Sequence, residues 1–218
     1  VFTLSNNNNL AVLLWDEGNL DEAKDIFESI LIDFKILEDY LNISSTLINL
    51  AKVNHELNKG DLAESQFKEA ISIAYEVSGI YNQCNSTREY AKFLIDQNRF
   101  KEAIEFGENA YQIASKTSSL ELKANCSQTL ADAYSKSGDF QKAYQFQFEH
   151  DALEDSLFNQ ETLSAANGQK FEIDYLTKVA TDSVKNAESQ KVKDAEILAS
   201  KEESKRLQIQ ADQEKQQK

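Results

Sequence analysis

The chain repeats itself every 40 residues, and this period constrains its fold more than any other feature of the sequence. Two columns of alanine keep the period without a gap: Ala11, Ala51, Ala91 and Ala131 form one, and Ala23, Ala63, Ala103 and Ala143 the other. A fixed period of about 20 to 50 residues is typical of solenoids, in which each repeat buries its apolar face against its neighbours. We therefore expect a stack of similar units, an architecture that favours binding over catalysis.

Each unit contains two helix-periodic apolar stretches separated by a residue suited to positive φ. Glycine and asparagine are the residue types that tolerate this left-handed helix end. Alanine lets two helices approach closely and also has the highest helix propensity, so the alanine columns favour both helix and packing. The turn residues are Gly18, Asn58, Asn98 and Gly138, and the side chains expected to fill the space beside the alanines are Phe27, Phe67, Phe106 and Phe146.

These patterns predict an all-α fold, a solenoid of four 40-residue helix-turn-helix repeats followed by a long C-terminal helix. The absence of proline and the presence of only six glycines argue against a sandwich or a barrel. The array is assigned to residues 1–166 and a charged, coiled-coil-like linker to 167–218. The predicted units are 4–43, 44–83, 84–123 and 124–163, and the predicted helices lie near 4–16, 20–40, 44–57, 60–79, 84–97, 100–118, 124–137 and 140–166.

The segment Leu130–Phe140, which reads LADAYSKSGDF, resembles the tetratricopeptide repeat. The resemblance covers about residues 1–157 and implies a helix-turn-helix solenoid that binds a protein or peptide in a groove formed by the first helices. The period of 40 exceeds the usual value of about 34, and the terminal proline of each unit is missing. Both departures predict a second helix that is about six residues longer than usual.

The groove that this resemblance implies supplies the candidate binding residues. Arg88 and Lys92 lie one helical turn apart and near Lys52 of the preceding unit, so together they can hold a peptide carboxylate. The alternative is a solvated groove in which acidic side chains balance these bases. Trp15 is either an anchor for the ligand or a core residue. The candidate set is Trp15, Lys52, His55, Arg88, Lys92 and Lys136, and the balancing acids are Glu56, Asp96 and Asp132.

Charge and composition exclude several classes of function. The net charge is −14, and the residues before Asn159 contain 13 basic and 26 acidic side chains. The array is therefore a poor candidate for binding nucleic acid, because phosphate binding needs a basic surface. No apolar run approaches 18 residues, so we expect no membrane span here. Because methionine is absent, we treat the chain as part of a larger protein.

We expect no enzyme activity, no cofactor and no metal in this part of the protein. The sequence contains no glycine-rich phosphate loop and no Ser/His/Asp or Cys/His arrangement. His55 and Glu56 begin like the phospho-acceptor box of histidine kinases, but the proline of that box is missing. His150 and Glu154 form only a weak metal-binding pair. Cys84 and Cys126 lack a CxxC spacing, so we expect them to pack between helices, with a disulfide as the alternative and the compartment left open.

The last fifty residues change to a composition of Lys, Glu, Gln and Ala after a predicted helix stop at Asn167–Gly168. Their apolar residues recur every 11 positions, at Leu176, Ala187, Leu198 and Ile209, with Ile173, Val184 and Ala195 at the same spacing. This spacing gives a thin stripe along a straight or slightly right-handed helix. Such a stripe needs a partner, so we expect a parallel homodimer through 169–210, with a helix lying along the array or a solvated helix as alternatives.

The segment Asp155–Asn159, which reads DSLFN and runs into this charged helix, is similar to the end of the tetratricopeptide array in bacterial sensor proteins. In that family the helix leads to a membrane span and a signalling domain, most often a histidine kinase of a two-component system. The resemblance implies a protein- or peptide-sensing module, membrane-anchored in the full protein, in the cell envelope with a periplasmic array. The alternative is a cytoplasmic, soluble scaffold or adaptor whose tail is an oligomerisation helix.

Overall fold

A computed structural model describes residues 2–77 and 79–216, and within these ranges the chain forms helices and no strand. The prediction of an all-α solenoid with a long C-terminal helix is confirmed. The helices are α1 (Phe2–Asp16), α2 (Leu20–Ile36), α3 (Tyr40–Glu56), α4 (Gly60–Glu76), α5 (Ile80–Asp96), α6 (Phe100–Ala114), α7 (Leu120–Ser137) and α8 (Phe140–Gln216).

The turn inside each unit has the same geometry four times. The residues predicted to adopt positive φ do so, with φ of +83° at Gly18, +61° at Asn58, +58° at Asn98 and +89° at Gly138. In each case the next backbone N–H donates to a carbonyl five residues earlier, as Asn19 does to Leu14 at 2.8 Å. This bond satisfies a carbonyl that the helix end would otherwise leave unpaired, so a left-handed residue is required at this position.

The turns between units lie four residues earlier than predicted. The first helices begin at Tyr40, Ile80 and Leu120, so the predicted starts at 44, 84 and 124 are wrong. The reason is local capping, since Asp39 accepts a hydrogen bond from the backbone N–H of Asn42 and Ser119 accepts one from Leu122, both at 3.2 Å. The extra residues of the 40-residue period are therefore shared between both helices instead of lengthening the second alone.

The core follows the two alanine columns. Ala11, Ala51 and Ala91 are completely buried, and so is the second column up to Ala103, whereas Ala143 in the final pair is only half-buried. Phe27 and Phe67 are buried at one register of the second helix, where unit three has Gly107 instead. The side chain of Leu130 fills the space above Gly107. A Cβ atom added to Gly107 would lie 2.8 Å from Leu130 Cδ2, so a larger residue would clash there.

Successive units stack through each second helix and the first helix that follows it, and α3, α5 and α7 also pack in order. Glu64 of α4 is a polar link between units two and three, since it accepts hydrogen bonds from Tyr90 Oη and Arg99 Nη1, each at 2.8 Å. A hydrogen bond from Lys68 and these two contacts hold the pKa of Glu64 at about 2, although burial opposes them. Glu64 therefore stays ionised while it joins the two units.

The chain divides into two compact units, Val1–Asn159 and Gln160–Lys218, and helix α8 contributes residues to both. Within the first unit, the ring of Phe146 stacks on Tyr134 at 5.7 Å between ring centroids, and His150 Nδ1 lies 3.1 Å from the carbonyl oxygen of Ala124. Both contacts attach the beginning of α8 to α7.

The second unit continues α8 without a break. The predicted helix stop at Asn167–Gly168 is wrong, because a glycine inside a helix costs only about 1 kcal/mol and does not end it without a cap. Leu176 and Val184 of the apolar stripe are 57% and 61% exposed. The later stripe positions Ala195, Leu198 and Ile209 lie outside the residues whose side chains are described.

A fifth residue with positive φ, in a turn between two units, predicts a stabilising substitution. Glu38, in the turn before α3, has φ of +53°, a conformation that costs an L-residue about 1–2 kcal/mol. We expect Glu38→Gly to be more stable than Glu38→Ala by about 1 kcal/mol, because only glycine relieves this cost while both substitutions remove the same charge. Urea unfolding of the two variants measures the difference. Equal stabilities would contradict the assigned backbone conformation.

Candidate binding site on the first helices

The first helices of units one to three carry side chains that meet across the unit boundaries. Trp15 Nε1 of α1 donates a hydrogen bond to Glu56 Oε1 of α3 at 2.9 Å. One repeat later, His55 Nε2 lies 3.3 Å from Asp96 Oδ2 of α5. Both pairs join a residue to the one 41 positions ahead, so the 40-residue period repeats the contact as well as the fold. The first-helix cluster, as we define it, contains Trp15, Lys52, His55, Glu56, Arg88, Glu89, Lys92 and Asp96.

Lys52 connects the aromatic and the charged parts of this cluster. Its Nζ lies 4.6 Å from the centre of the Trp15 ring, a cation–π distance, and 3.7 Å from Glu89 Oε2. Trp15 itself is half-buried and packs against the main hydrophobic core. The two readings of this tryptophan therefore do not exclude each other, since one part of the ring belongs to the core and another faces Lys52.

Glu89 is the residue that sequence reasoning missed. Its side chain is 7% exposed, and Lys52, Arg88 and Lys92 all converge on it. Lys92 Nζ lies 3.6 Å from Glu89 Oε2, and Arg88 also donates to Asn85 Oδ1 at 2.9 Å. The three predicted bases are thus brought together, but the carboxylate that they hold in this structure belongs to the chain itself. The i, i+3 spacing of Glu89 and Lys92 on α5 was the available signal.

The neighbouring charges and burial shift the pKa values of Glu89 and Lys52. Burial alone would raise the pKa of Glu89, but the positive charges of Arg88, Lys52 and Lys92 outweigh burial and hold that pKa below its usual range. Burial lowers the pKa of Lys52, with the neighbouring positive charges of Lys92 and Arg88 adding to the effect and Glu89 opposing it. Three bases thus surround one buried acid, while Glu56 and Asp96 balance the remaining charge of the first-helix cluster.

Two small depressions are lined mainly by residues of the first helices. One, of about 90 Å³, lies between α3 and α5 among the charged residues, with Phe67 and Phe93 also in its lining. The other, of about 200 Å³, contains no charged side chain. Its lining consists of Asn8, Asn9, Phe34, Asn42, Ser45, Thr46 and Asn49. Amide and hydroxyl groups both donate and accept hydrogen bonds, so this second depression suits an uncharged polar group.

Of the predicted binding residues, Lys136 lies outside the first-helix cluster. Lys136 is exposed in the last turn of α7, and the residue at the partner register in α5 is the apolar Ile95, so the cross-unit pairing stops there. His55 also packs edge-on against Phe93, with ring centroids 5.1 Å apart. In the described part of the chain, no group of three His, Cys, Asp or Glu side chains is placed to hold a metal ion.

Removal of the Glu89 charge should expose how far the cluster depends on it. We expect Glu89→Gln to lower the free energy of unfolding by about 1–3 kcal/mol at neutral pH, because three bases lose their buried acceptor. Since the folded pKa of Glu89 is lowered, its contribution is complete above the usual carboxyl pKa of about 4.3 and is lost as pH falls through the folded value.

The difference between wild type and Glu89→Gln should therefore be largest at neutral pH and shrink below about pH 4. Thermal unfolding across this pH range provides the measurement, and Glu105→Gln, at an exposed glutamate of α6, is the matched control. A difference that stays constant down to strongly acidic pH would show that Glu89 is not a stabilising anion.

Comparisons with known proteins agree with this geometry. The model of a family described as tetratricopeptide repeat matches residues 2–76 and 82–147. No curated protein sequence matches the chain.

In the described part of the chain, no helix is both long and apolar enough to cross a membrane.

Solved structures with similar folds include BtubC (BKLC) from P. vanneervenii, at a TM-score of 0.62 and 18% identity. The match covers 71% of this chain and 64% of BtubC, so the chain spans less than two thirds of that protein. The nearly identical TPR-like repeats of a Podospora anserina protein assigned as a kinesin light chain match at a TM-score of 0.57 and 19% identity, over 72% and 76% of the two chains. The apo form of RapI matches at 0.58 and 14%, over 69% and 42%. At these identities the likeness concerns the fold alone.

Proposed function

Because the chain belongs to the tetratricopeptide repeat family, and hence to a fold that serves protein–protein interaction, we propose that its array binds a protein or peptide segment through the first-helix cluster. In this proposal α8 then transmits the bound state to the remainder of a bacterial signal-transduction protein. The observation that carries the proposal is the unbroken series of contacts from Trp15 through Lys52 to Glu89, which spans the first helices of three units.

The chemistry of the cluster favours an acidic segment with an apolar or aromatic group. The side chains of Lys92 and Lys52 are 49% and 31% exposed, so both keep a part open to solvent while they contact Glu89. A ligand carboxylate can compete with water for that open side and gain charge-assisted hydrogen bonds. Trp15 offers an amphipathic ring at the other end of the series. His55 and Arg88 complete the proposed site, and Lys136 contributes only to a ligand long enough to reach unit four.

Neutral substitutions at Lys52 and Lys92 test the site while Arg88 remains as the partner of the buried Glu89. The probe is a peptide selected from a displayed library of random peptides for binding to the wild-type chain. We expect Lys52→Gln/Lys92→Gln to weaken its binding by roughly three- to tenfold and to reduce its dependence on salt, because two partly exposed ion pairs are lost. Affinities at several salt concentrations provide the measurement.

The matched control is Lys101→Gln/Lys116→Gln, which removes the same charge at two exposed lysines outside the cluster. Circular dichroism of both variants checks that the array remains helical. Equal affinities and equal salt dependence in the two double variants would place the binding site elsewhere on the array.

We further propose that the full protein is membrane-anchored, with the array in the cell envelope on the periplasmic side and a histidine kinase or related output domain beyond the tail. The resemblance of Asp155–Asn159 and the following helix to bacterial sensor proteins supports this proposal. A cytoplasmic scaffold or adaptor is the alternative function, and it is equally compatible with a repeat array followed by a long helix. The coding sequence after Lys218 separates them, since about 20 apolar residues and a kinase core fit only the sensor.

The tail is proposed to pair in parallel with that of a second copy. The exposed side chains of Ile173, Leu176 and Val184 support this, because an isolated polar helix gains most of its stability from packing an apolar face. We expect the full chain to be dimeric in light scattering, and Ile173→Glu/Leu176→Glu to shift it to monomer. Thr177→Glu/Thr181→Glu, on the same helix but outside the stripe, should leave the dimer intact. A wild-type chain that stays monomeric at high concentration would contradict pairing through the stripe.

A further inference from the structure

Two cysteines that lie 42 residues apart in the sequence meet inside the array. Cys84 of α5 and Cys126 of α7 are both free thiols, both are completely buried, and their Sγ atoms are 3.5 Å apart. We propose that this pair is an oxidisable dithiol, which a disulfide-class oxidant such as oxidised glutathione converts to an internal disulfide that crosslinks units three and four. This inference stands independently of the proposed ligand site.

The geometry requires only a small movement. A disulfide bond is about 2.05 Å long, so the two sulfur atoms need to approach by about 1.5 Å. The helices that carry them pack directly against each other, and the pair belongs to a small apolar cluster with Ala110, Ile113 and Leu122. The hydrogen bond from the Cys84 thiol to the carbonyl oxygen of Ala110, at 3.5 Å, is weak and does not hold this sulfur away from Cys126.

The position of the pair in the array gives the crosslink a role. Units one and two, and units two and three, are joined through side chains of their first helices, as in the pairs of Trp15 with Glu56 and of His55 with Asp96. Between α5 and α7, the thiol–thiol contact is the only described side-chain hydrogen bond or ion pair. Oxidation would therefore add a covalent link between two first helices that no other described polar side-chain contact joins.

The surroundings favour one sulfur as the first nucleophile. A hydrogen bond from Cys126 holds the pKa of the Cys84 thiol below its usual value, and the charge of Arg88 acts in the same direction, whereas burial opposes both. The hydrogen bond between the two thiols raises the pKa of Cys126, and burial raises it further. Cys84 therefore ionises first and attacks the oxidant, and Cys126 follows.

The reaction balances in two exchange steps. The Cys84 thiolate attacks one sulfur of oxidised glutathione, forming a mixed disulfide and releasing one glutathione thiolate, which takes up the proton. The Cys126 thiolate then attacks the Cys84 sulfur of the mixed disulfide and releases the second glutathione. The protein loses two protons and two electrons, and the oxidant becomes two molecules of glutathione.

Burial sets the rate of this reaction. Since both thiols are completely buried, the oxidant reaches them only when the contact between α5 and α7 opens. Oxidation of the folded chain should thus be slow in buffer and faster in urea at concentrations below the unfolding transition. The same burial should prevent crosslinking between two chains.

The experiment treats the full chain with oxidised glutathione, in buffer and in urea below the transition. We expect intact-mass spectrometry to show the loss of two hydrogen atoms, and a non-reducing digest to contain a linked pair of peptides that carry Cys84 and Cys126. The oxidised chain should melt several degrees higher than the reduced chain, because the closed loop restricts the unfolded state, and dithiothreitol should reverse the shift.

The control variants are Cys84→Ser and Cys126→Ser, which should fold because Ser44 and Ser86 occupy the same registers one repeat earlier. Neither should lose two hydrogen atoms or show a melting shift that dithiothreitol reverses. The proposal is overturned if the folded wild type gives only glutathione adducts or linked chains, or if the internal disulfide forms only after complete unfolding.

Discussion

The close contact of helices at the alanine columns is the constraint on which the rest of the array depends. Ala11, Ala51 and Ala91 are completely buried where neighbouring helices approach each other, and no larger side chain fits at such a distance without displacing a helix. Because the columns repeat at 40 residues, each unit presents the same surface to the next. The stack then follows from nearest-neighbour packing, as expected for a solenoid.

The same repetition gives the first-helix cluster its geometry. A side chain on one first helix meets the residue about 40 positions ahead. The pairs of Trp15 with Glu56 and of His55 with Asp96 therefore occupy equivalent positions, with an indole donor in the first pair and an imidazole in the second. Glu89 departs from this pattern because it is buried and collects three bases. The cluster thereby combines a buried, self-paired centre with partly exposed lysine side chains, and the proposed binding of an acidic segment rests on these lysines.

The boundary between units three and four differs from the earlier boundaries. Ile95 and Lys136 occupy the register of the polar pairs and do not form one, and the described side-chain contact between α5 and α7 is instead that of Cys84 with Cys126. A covalent link there would join α5 and α7, which no other described polar side-chain contact connects. The two proposals thus concern separate parts of the array, a ligand on the first three units and the redox state at the boundary between units three and four.

The sequence alone determined the fold class, the 40-residue register and the positive-φ turn of every unit, because the residue types that these features require are few. Alanine is needed at close crossings, and glycine or asparagine at a left-handed helix end. Local rules that the 40-residue register does not contain set the inter-unit turns, through the caps at Asp39 and Ser119, and the continuation of α8 through Gly168. Only the tertiary structure decided which acid the bases meet and that the two cysteines touch, since contacts between residues about 40 positions apart depend on how the units stack, which local sequence patterns do not encode.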